Sequence, residues 1–300
     1  MKKILVPCDF SSTSKQAYAF ALQAAQRIDA ELHIVKAIDL PFSYESAYAA
    51  GHYYNDTGLL KELQEDAHKS FEALTKNLGK NTRTHFSALQ GPVTNVIQTY
   101  IENEAIDLVI MGTNGATGMK EYFIGSNTEK IVRFSPVPVI AVRESINLSS
   151  ITDIVVPTDA GEVYPEFVTQ LKRLQGMSFA TLHFLLVSTD HRLLNSNQKM
   201  EKLESYTKKC GFENYTVNLQ REDTMEQGIV EFAREINADM IAMATHGRRG
   251  IGHLFMGSLA EDIVNHVNYP VWTYSIRSNE SIKGTGVATG KQGFTASKVA

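Results

Sequence analysis

The chain has 300 residues, with 29 Lys+Arg against 33 Asp+Glu, a net charge of −4. At roughly 150 residues per domain, that length predicts two domains. The mild acidity argues against nucleic-acid binding by phosphate neutralisation, and a hydrophobic content of 43% excludes a disordered chain.

The chain opens with Met1-Lys2-Lys3-Ile4-Leu5-Val6-Pro7. This apolar stretch is too short for a signal peptide, and Asp9 interrupts it. Elsewhere no apolar run approaches the ~18 residues of a membrane span, so no membrane contact is expected. Cys8 and Cys210 cannot build a disulfide framework, so reduced thiols and a cytoplasmic location are expected.

In chain order, the buried run Lys3–Pro7 predicts a first strand. Ser11, Ser12 and Thr13 offer an N-cap, and Ala17, Phe20, Ala21, Ala24, Ala25 and Ile28 follow at helical spacing. A strand is predicted at Leu32–Ile38 and a helix over Leu60–Leu78. Another strand is predicted at Thr84–Leu89, and then Gly91-Pro92 opens a helix with Val93, Val96, Ile97, Tyr100 and Ile101 on one face. Leu108–Met111 predicts a fourth strand, Ser126–Phe134 a helix and Val137–Val142 a fifth strand. Further strands are predicted at Ile154–Pro157, Thr181–Val187, Tyr215–Leu219, Met240–Ala244 and Val271–Tyr274. The tail 277–300 is rich in Gly, Ser, Thr and Lys and reads as a flexible appendage. Its Gly284-Thr285-Gly286-Val287-Ala288-Thr289-Gly290 has the wrong spacing for a dinucleotide loop, with no strand before it or helix after it.

The chain also repeats itself. Ile4-Leu5-Val6-Pro7-Cys8-Asp9 matches Ile154-Val155-Val156-Pro157-Thr158-Asp159, and Leu32-His33 matches Leu182-His183. The offset is 150, as from Asp9 to Asp159. Later it falls to 132, as from Asp107-Leu108-Val109-Ile110-Met111 to Asp239-Met240-Ile241-Ala242-Met243. The first copy is therefore longer. Its extra residues are placed in the tyrosine-rich stretch Leu40–Leu59, which holds Tyr44, Tyr48, His52, Tyr53 and Tyr54 and suits a lid or a packed arm. Unbroken apolar strands alternating with helices imply α/β domains with parallel sheets covered on both faces. The expected units are 1–144 and 151–276.

The densest motif is G-x2-G-x9-G-S, formed by Gly112, Gly115, Gly125 and Ser126 after Met111. Glycines let backbone N–H groups approach an anion, and a helix N-terminus adds donors and partial positive charge. Structural punctuation explains the same residues: Ser126 and Glu129 spell a capping box, as do Ser258 and Glu261. The second copy keeps Gly247, Gly257 and Ser258 but has Ala244 in the place of Gly112, and it carries Arg248 and Arg249 in the loop.

These features together resemble the universal stress protein family. They are a first strand ending Val-Pro-x-Asp, Leu-His in the second strand, the glycine motif, and its continuation into Glu-x-Ile-Val and x-Pro-Val. The resemblance covers both copies and leaves out the tail. It implies two Rossmann-like domains, each a five-stranded parallel sheet in order 3-2-1-4-5 with helices on both faces. It implies ATP as ligand, with Mg²⁺ as its companion ion, in the crevice between strands one and four. Carried over, the site residues are Asp9, Ala37, Met111, Gly112, Gly115, Gly125, Ser126 and Asn127. In the second copy they are Asp159, Val187, Gly247, Gly257 and Ser258. It also implies pairing through the fifth strand, within the chain or in a homodimer, and a role in stress response or regulation.

No catalytic residue is expected. Slow ATP hydrolysis and a nucleotide-empty assembly module are the other readings. There is no G-x4-G-K-[ST], C-x-x-C or H-E-x-x-H, so neither a P-loop nor a metal motif is predicted. His246 and His253 flank the second loop, and solvent-facing side chains are expected there. His33 and His183 are expected to be satisfied core histidines.

Overall fold

The computed structural model describes residues 1–39, 57–76, 82–113, 125–189, 196–246, 259–260, 262–264 and 267–276. The tyrosines of the Leu40–Leu59 stretch, both glycine loops beyond 113 and 246, and the tail lie outside the described residues.

The first copy runs β1 (Lys3–Pro7), α1 (Ser12–Ile28), β2 (Glu31–Ile38), α2 (Thr57–Thr75), β3 (Thr84–Gln90), α3 (Val93–Glu104), β4 (Leu108–Gly112), α4 (Ser126–Phe134) and β5 (Val139–Val142). A single 3₁₀ turn, Leu148–Ser150, joins it to the second copy. That copy runs β6 (Asp153–Pro157), α5 (Pro165–Ser178), β7 (Thr181–Ser188), α6 (Ser196–Cys210), β8 (Tyr215–Arg221), α7 (Met225–Glu235), β9 (Met240–His246) and β10 (Val271–Ile276). Residues 259–260 and 262–264 are also helical. Among the described residues no helix is long and apolar enough to cross a membrane.

The apolar runs become strands because both faces of the sheet are covered. Ile4, Leu5 and Val6 are fully buried, as are Leu108, Val109 and Ile110. Helix α1 starts at Ser11, whose side chain accepts from the Ser14 N–H, and ends at Asp29 in the left-handed region. Half of its buried residues are alanine (Ala17, Ala21, Ala24 and Ala25), around Phe20. Small residues there let the helix lie close on β1 and β4.

The sheet order is β3-β2-β1-β4-β5-β10-β9-β6-β7-β8. Each half thus has the order 3-2-1-4-5. The halves are not separate sheets, however. β5 and β10 pair antiparallel, with Trp272 opposite Ile140 and Val271 opposite Ala141, and one ten-stranded sheet results. The physical reason is that β5 and β10 would each be an edge of unpaired N–H and C=O groups in a lone copy. Their union also merges the cores. Trp272 is fully buried, with its ring 5.8 Å from Phe167 and 6.4 Å from Tyr274. Polar contacts cross the same seam. Gln23 Oε1 accepts from the Leu148 N–H at 3.0 Å, and Arg143 Nη2 donates to the Val264 carbonyl at 2.9 Å.

At the opposite end of the strands the repeat shows in its aspartates. Asp107 Oδ2 accepts from the N–H groups of Lys2 and Lys3 at 2.6 and 3.2 Å. Asp239 Oδ2 does the same for Thr152 and Asp153 at 2.8 and 3.1 Å. The Asp that opens each Asp-x-x-x-Met motif therefore ties the start of one strand to the next.

Two outcomes follow from this architecture. Trp272→Ala removes the largest side chain of the shared core and is expected to cost about 3–5 kcal/mol in denaturant unfolding. The second concerns Asp153, whose carboxyl is held below its ordinary range by hydrogen bonds from His183 and Thr152. A depressed carboxyl stabilises the fold above its unfolded value near pH 4, and that stability is lost as the pH falls through the folded value. The stability gap between wild type and Asp153→Asn should therefore shrink on acidification below about pH 4, as read by urea midpoints across pH.

Candidate functional site

Strand β1 stops early. Its last pair with β2 is Pro7 opposite Val35, although β2 continues to Ile38. Its pairs with β4 end at Leu5 opposite Val109, although β4 runs on beside β5 to Gly112. Cys8 makes one last bond, its N–H donating to the Val35 carbonyl at 2.9 Å. Beyond that point the β1-facing edge of β2, at Lys36 and Ala37, has no strand beside it. A crevice opens between β1 and β4 at the carboxyl ends of the strands, the position where open α/β sheets bind ligands.

Asp9 sits at its lip. Asp9 Oδ1 accepts from the Ser11 N–H at 3.0 Å, with Phe10 between them at φ 65°. This tight turn carries the chain from β1 into α1, and Ser11, not Asp9, caps the helix. The second copy repeats the turn: Asp159 Oδ1 accepts from the Gly161 N–H at 2.9 Å across Ala160 at φ 51°.

Gly112 lies against that first turn of α1. A Cβ added there would meet the Thr13 carbonyl carbon at 2.8 Å and oxygen at 2.9 Å. Gly112 does not have positive φ, so close approach rather than backbone conformation requires the glycine. The second copy escapes the clash: α5 begins at Pro165, which matches position 15 rather than 12 of the first copy. The methyl of Ala244 is then accommodated, in a strand and buried.

The far wall is the start of α4. Gly125 is its N-cap, and its N–H donates to the Thr113 carbonyl at 2.8 Å. Ser126 is thus the first helical residue and does not cap. The capping-box reading of Ser126 and Glu129 is corrected here, because a box needs the serine one position earlier. The helix instead opens with a residue that has no side chain to cover its end. The Thr128 and Glu129 N–H groups return to the Gly125 carbonyl at 2.8 and 3.2 Å. Ser126 and Asn127 are exposed, and their amides belong to the first turn, which a helix leaves without internal partners.

A residue outside the sequence-based set holds this wall. Thr128 is buried, and its hydroxyl donates to the Gly112 carbonyl at 3.0 Å. It ties α4 to β4 across the glycine loop. The signal was the Thr following Gly-Ser-Asn; the second copy has Ala260 there and no such tie. Thr113 and its counterpart Thr245 were also missed. Both hydroxyls are buried, with no hydrogen-bond partner among the described residues.

The remaining expected residues are placed as follows. Ala37 packs on the cluster that holds Val35 and Val96, so only its backbone edge faces the crevice. Val187 packs against α7, where a Cβ on Gly228 would lie 2.5 Å from Val187 Cγ1. Small-against-large in one copy becomes large-against-small in the other, Ala37 with Val96 and Val187 with Gly228. Met111 is buried in the core with Leu5 and Ile131. Gly115, Gly247, Gly257 and Ser258 lie outside the described residues, as do the side chains of His246, Arg248, Arg249 and His253. Cys8, beside the crevice, is buried, and its burial pushes the thiol above its ordinary value. It packs in the core cluster that holds Val6 and Ala17.

This order of strands, reversing beside β1 in one half and β6 in the other, defines a doubly wound α/β protein built from two related halves. The sequence profile of the universal stress protein family matches residues 1–143 and again 151–275. The chain belongs to that family and is a tandem member of it. Universal stress protein MJ0531 of Methanocaldococcus jannaschii is 30% identical over 143 residues, covering 48% of this chain and 82% of its own length. A putative universal stress protein of Staphylococcus saprophyticus is 31% identical over 147 residues, covering 47% of this chain and 83% of its own. A universal stress protein from Archaeoglobus fulgidus shares the whole fold, with a TM-score of 0.64, 21% identity and coverage of 91% of this chain and 98% of that one.

The close approach of Gly112 to Thr13 makes a contrast measurable. Gly112→Ala should destabilise the fold by about 1–3 kcal/mol through overpacking. Ala244→Gly should change it by about 1 kcal/mol or less, the ordinary cost of a strand glycine. Denaturant midpoints of the two variants check this.

Proposed function

We propose that this tandem universal stress protein holds an adenine nucleotide, ATP with Mg²⁺ on its phosphates, in the crevice of its first copy. The nucleotide is held rather than consumed, and the bound state serves a stress-response or regulatory role. The observation that carries this reading is the early end of β1. It leaves the β2 edge at Ala37, the Asp9 turn, Gly112 and the opening turn of α4 around one gap. Backbone groups at Ala37 suit the hydrogen-bonding edge of adenine. Asp9 suits a ribose hydroxyl. Gly112, Gly115, Gly125, Ser126 and Asn127 suit the phosphates, since an uncapped helix start and glycine amides bind anions without net basic charge.

The second copy has the same opening but a different lining. Ala244 adds a methyl, Ala260 removes the hydroxyl tie, and Glu162 adds negative charge near Asp159. Asp159, Val187, Gly247, Gly257 and Ser258 form a weaker nucleotide site in this reading, with residues 1–144 and 151–276 as the two units. The pairing of β5 with β10 supplies within one chain the partner that a single copy would need from a second. Two buried, unbridged cysteines fit the reducing cytoplasm.

Calorimetry with ATP and ADP tests the proposal. One site per chain is expected to dominate. Asp9→Asn keeps an acceptor for the Ser11 N–H and hence the turn, but removes the charge. It should weaken ATP binding about tenfold, the loss of one good hydrogen bond to a charged group, while leaving the melting temperature nearly unchanged. No binding of either nucleotide at millimolar concentration would sink the idea and favour the assembly-module reading. Single-turnover assays with Mg²⁺ separate a holder of ATP from a slow ATPase.

A further inference from the structure

The expectation for a strand histidine is a ring whose nitrogens are satisfied by neighbours, and the second copy meets it. His183 Nε2 lies 2.8 Å from Asp153 Oδ1, and its Nδ1 lies 2.9 Å from Thr216 Oγ1. The first copy changes every partner. By strand register, Lys3 replaces Asp153, Glu31 replaces Thr181, and His85 replaces Thr216. His33 is 3% exposed. Its Nδ1 lies 2.9 Å from Tyr100 Oη. Its Nε2 is buried without a hydrogen-bond partner. Glu31 Oε2 stands 3.8 Å from that nitrogen, beyond hydrogen-bond reach. His85 lies beside His33 with ring centroids 4.9 Å apart and planes 29° from parallel.

We propose that Glu31, His33 and His85 form a binding site for a divalent transition-metal ion of the zinc type. One ligand atom from each lies within 4.8 Å of the others. Two imidazoles and a carboxylate are a donor set that zinc accepts, with a fourth position left for water. Ligand atoms around a tetrahedral zinc stand roughly 3.3 Å apart, given bond lengths of about 2.0–2.1 Å. From separations of up to 4.8 Å, the three donors therefore need to close by up to about 1.5 Å. Two of them can do so, since His85 is exposed and Glu31 is only partly buried.

The surroundings fit a metal better than an ion pair. His33 keeps Nε2 buried without a hydrogen-bond partner while its Nδ1 lies against Tyr100 Oη. With its proton on Nδ1, donated to Tyr100 Oη, Nε2 presents a lone pair toward a carboxylate oxygen. Two acceptors then face one another, and a cation between them satisfies both. Tyr100 serves as the partner that fixes the histidine tautomer, as ligating histidines usually require. Arg83 Nη1 lies 3.5 Å from Glu31 Oε1, and so holds the other oxygen of the same carboxylate.

The site is separate from the crevice. His33 lies four residues before Ala37 along β2, about 13 Å at the usual strand rise, toward the opposite end of the sheet. The ion would bridge β2 to β3, which is the outer strand of the first half. It would thus pin a sheet edge rather than touch the nucleotide.

The test uses the full chain, freed of metal by a chelator. Zinc is titrated by calorimetry, and cobalt is followed by the visible absorption of a four-coordinate ion. A zinc-binding event is expected in wild type, with a raised melting temperature. His85→Ala should weaken it at least tenfold. Because His85 is exposed, that variant should keep its circular dichroism and its metal-free melting temperature. Glu31→Gln should weaken binding similarly, and Tyr100→Phe about tenfold through loss of the orienting partner. His183→Ala should leave zinc affinity unchanged. No zinc binding at 100 μM (about ten times a weak 10 μM site), or His85→Ala and Glu31→Gln binding as wild type does, would overturn the proposal. None of these outcomes depends on whether the crevice binds ATP.

Discussion

Everything in this molecule that could bind a nucleotide depends on where β1 ends. Pro7 is its last residue, and β2 and β4 both continue beyond it. A proline there has no N–H to extend a ladder, and the Asp9 turn immediately redirects the chain into α1. Had β1 run two residues further, the edge of β2 at Ala37 would be paired and the gap beside Gly112 closed. The same arrangement recurs at Pro157 and Asp159. One short strand at the centre of each half therefore decides both the helix packing above it and the opening beside it.

That constraint explains the differences between the halves. Gly112 is forced by the carbonyl of Thr13, because α1 begins within a turn of the strand. Where the helix starts three residues later, as α5 does, alanine fits. Val187 and Gly228 replace Ala37 and Val96, so the large residue moves from helix to strand and the pair loses one methyl. Loss of the Thr128 hydroxyl at Ala260 then removes a tie between the last helix and the strand before it. These changes concentrate around the crevice and leave the strand order intact. Duplication kept the scaffold, and the second opening diverged.

Much of this architecture was legible in the sequence. Buried strands announce themselves as unbroken apolar runs, and α4 at Ser126–Phe134 lies where its motif placed it. The repeat offsets of 150 and 132 located matching elements before any geometry was known. Other features were not legible, for physical reasons. The fifth strands were the expected pairing edge, but whether β5 meets β10 of its own chain or of a second copy was left open, since strand order does not reveal edge partners. The capping role passes from Ser126 to Gly125 because the chain enters α4 one residue earlier than the Ser-x-x-Glu pattern implies. The cluster of Glu31, His33 and His85 arises from parallel register between β2 and β3, across 52 residues of chain from His33 to His85. No spacing rule for a local metal motif spans that distance. The reason for Gly112 was likewise hidden, since the clash it avoids is with the backbone of a helix a hundred residues away in sequence.

The central claim is that the gap beyond Pro7 is the nucleotide site. The most direct measurement is amide hydrogen exchange with and without saturating ATP and Mg²⁺. Slowed exchange is predicted at Cys8–Ser11, Lys36–Ile38, Gly112–Thr113 and Gly125–Thr128, with smaller changes at the matching positions of the second copy. Protection confined to other surfaces, or no change in these four segments when ATP is bound, would contradict it.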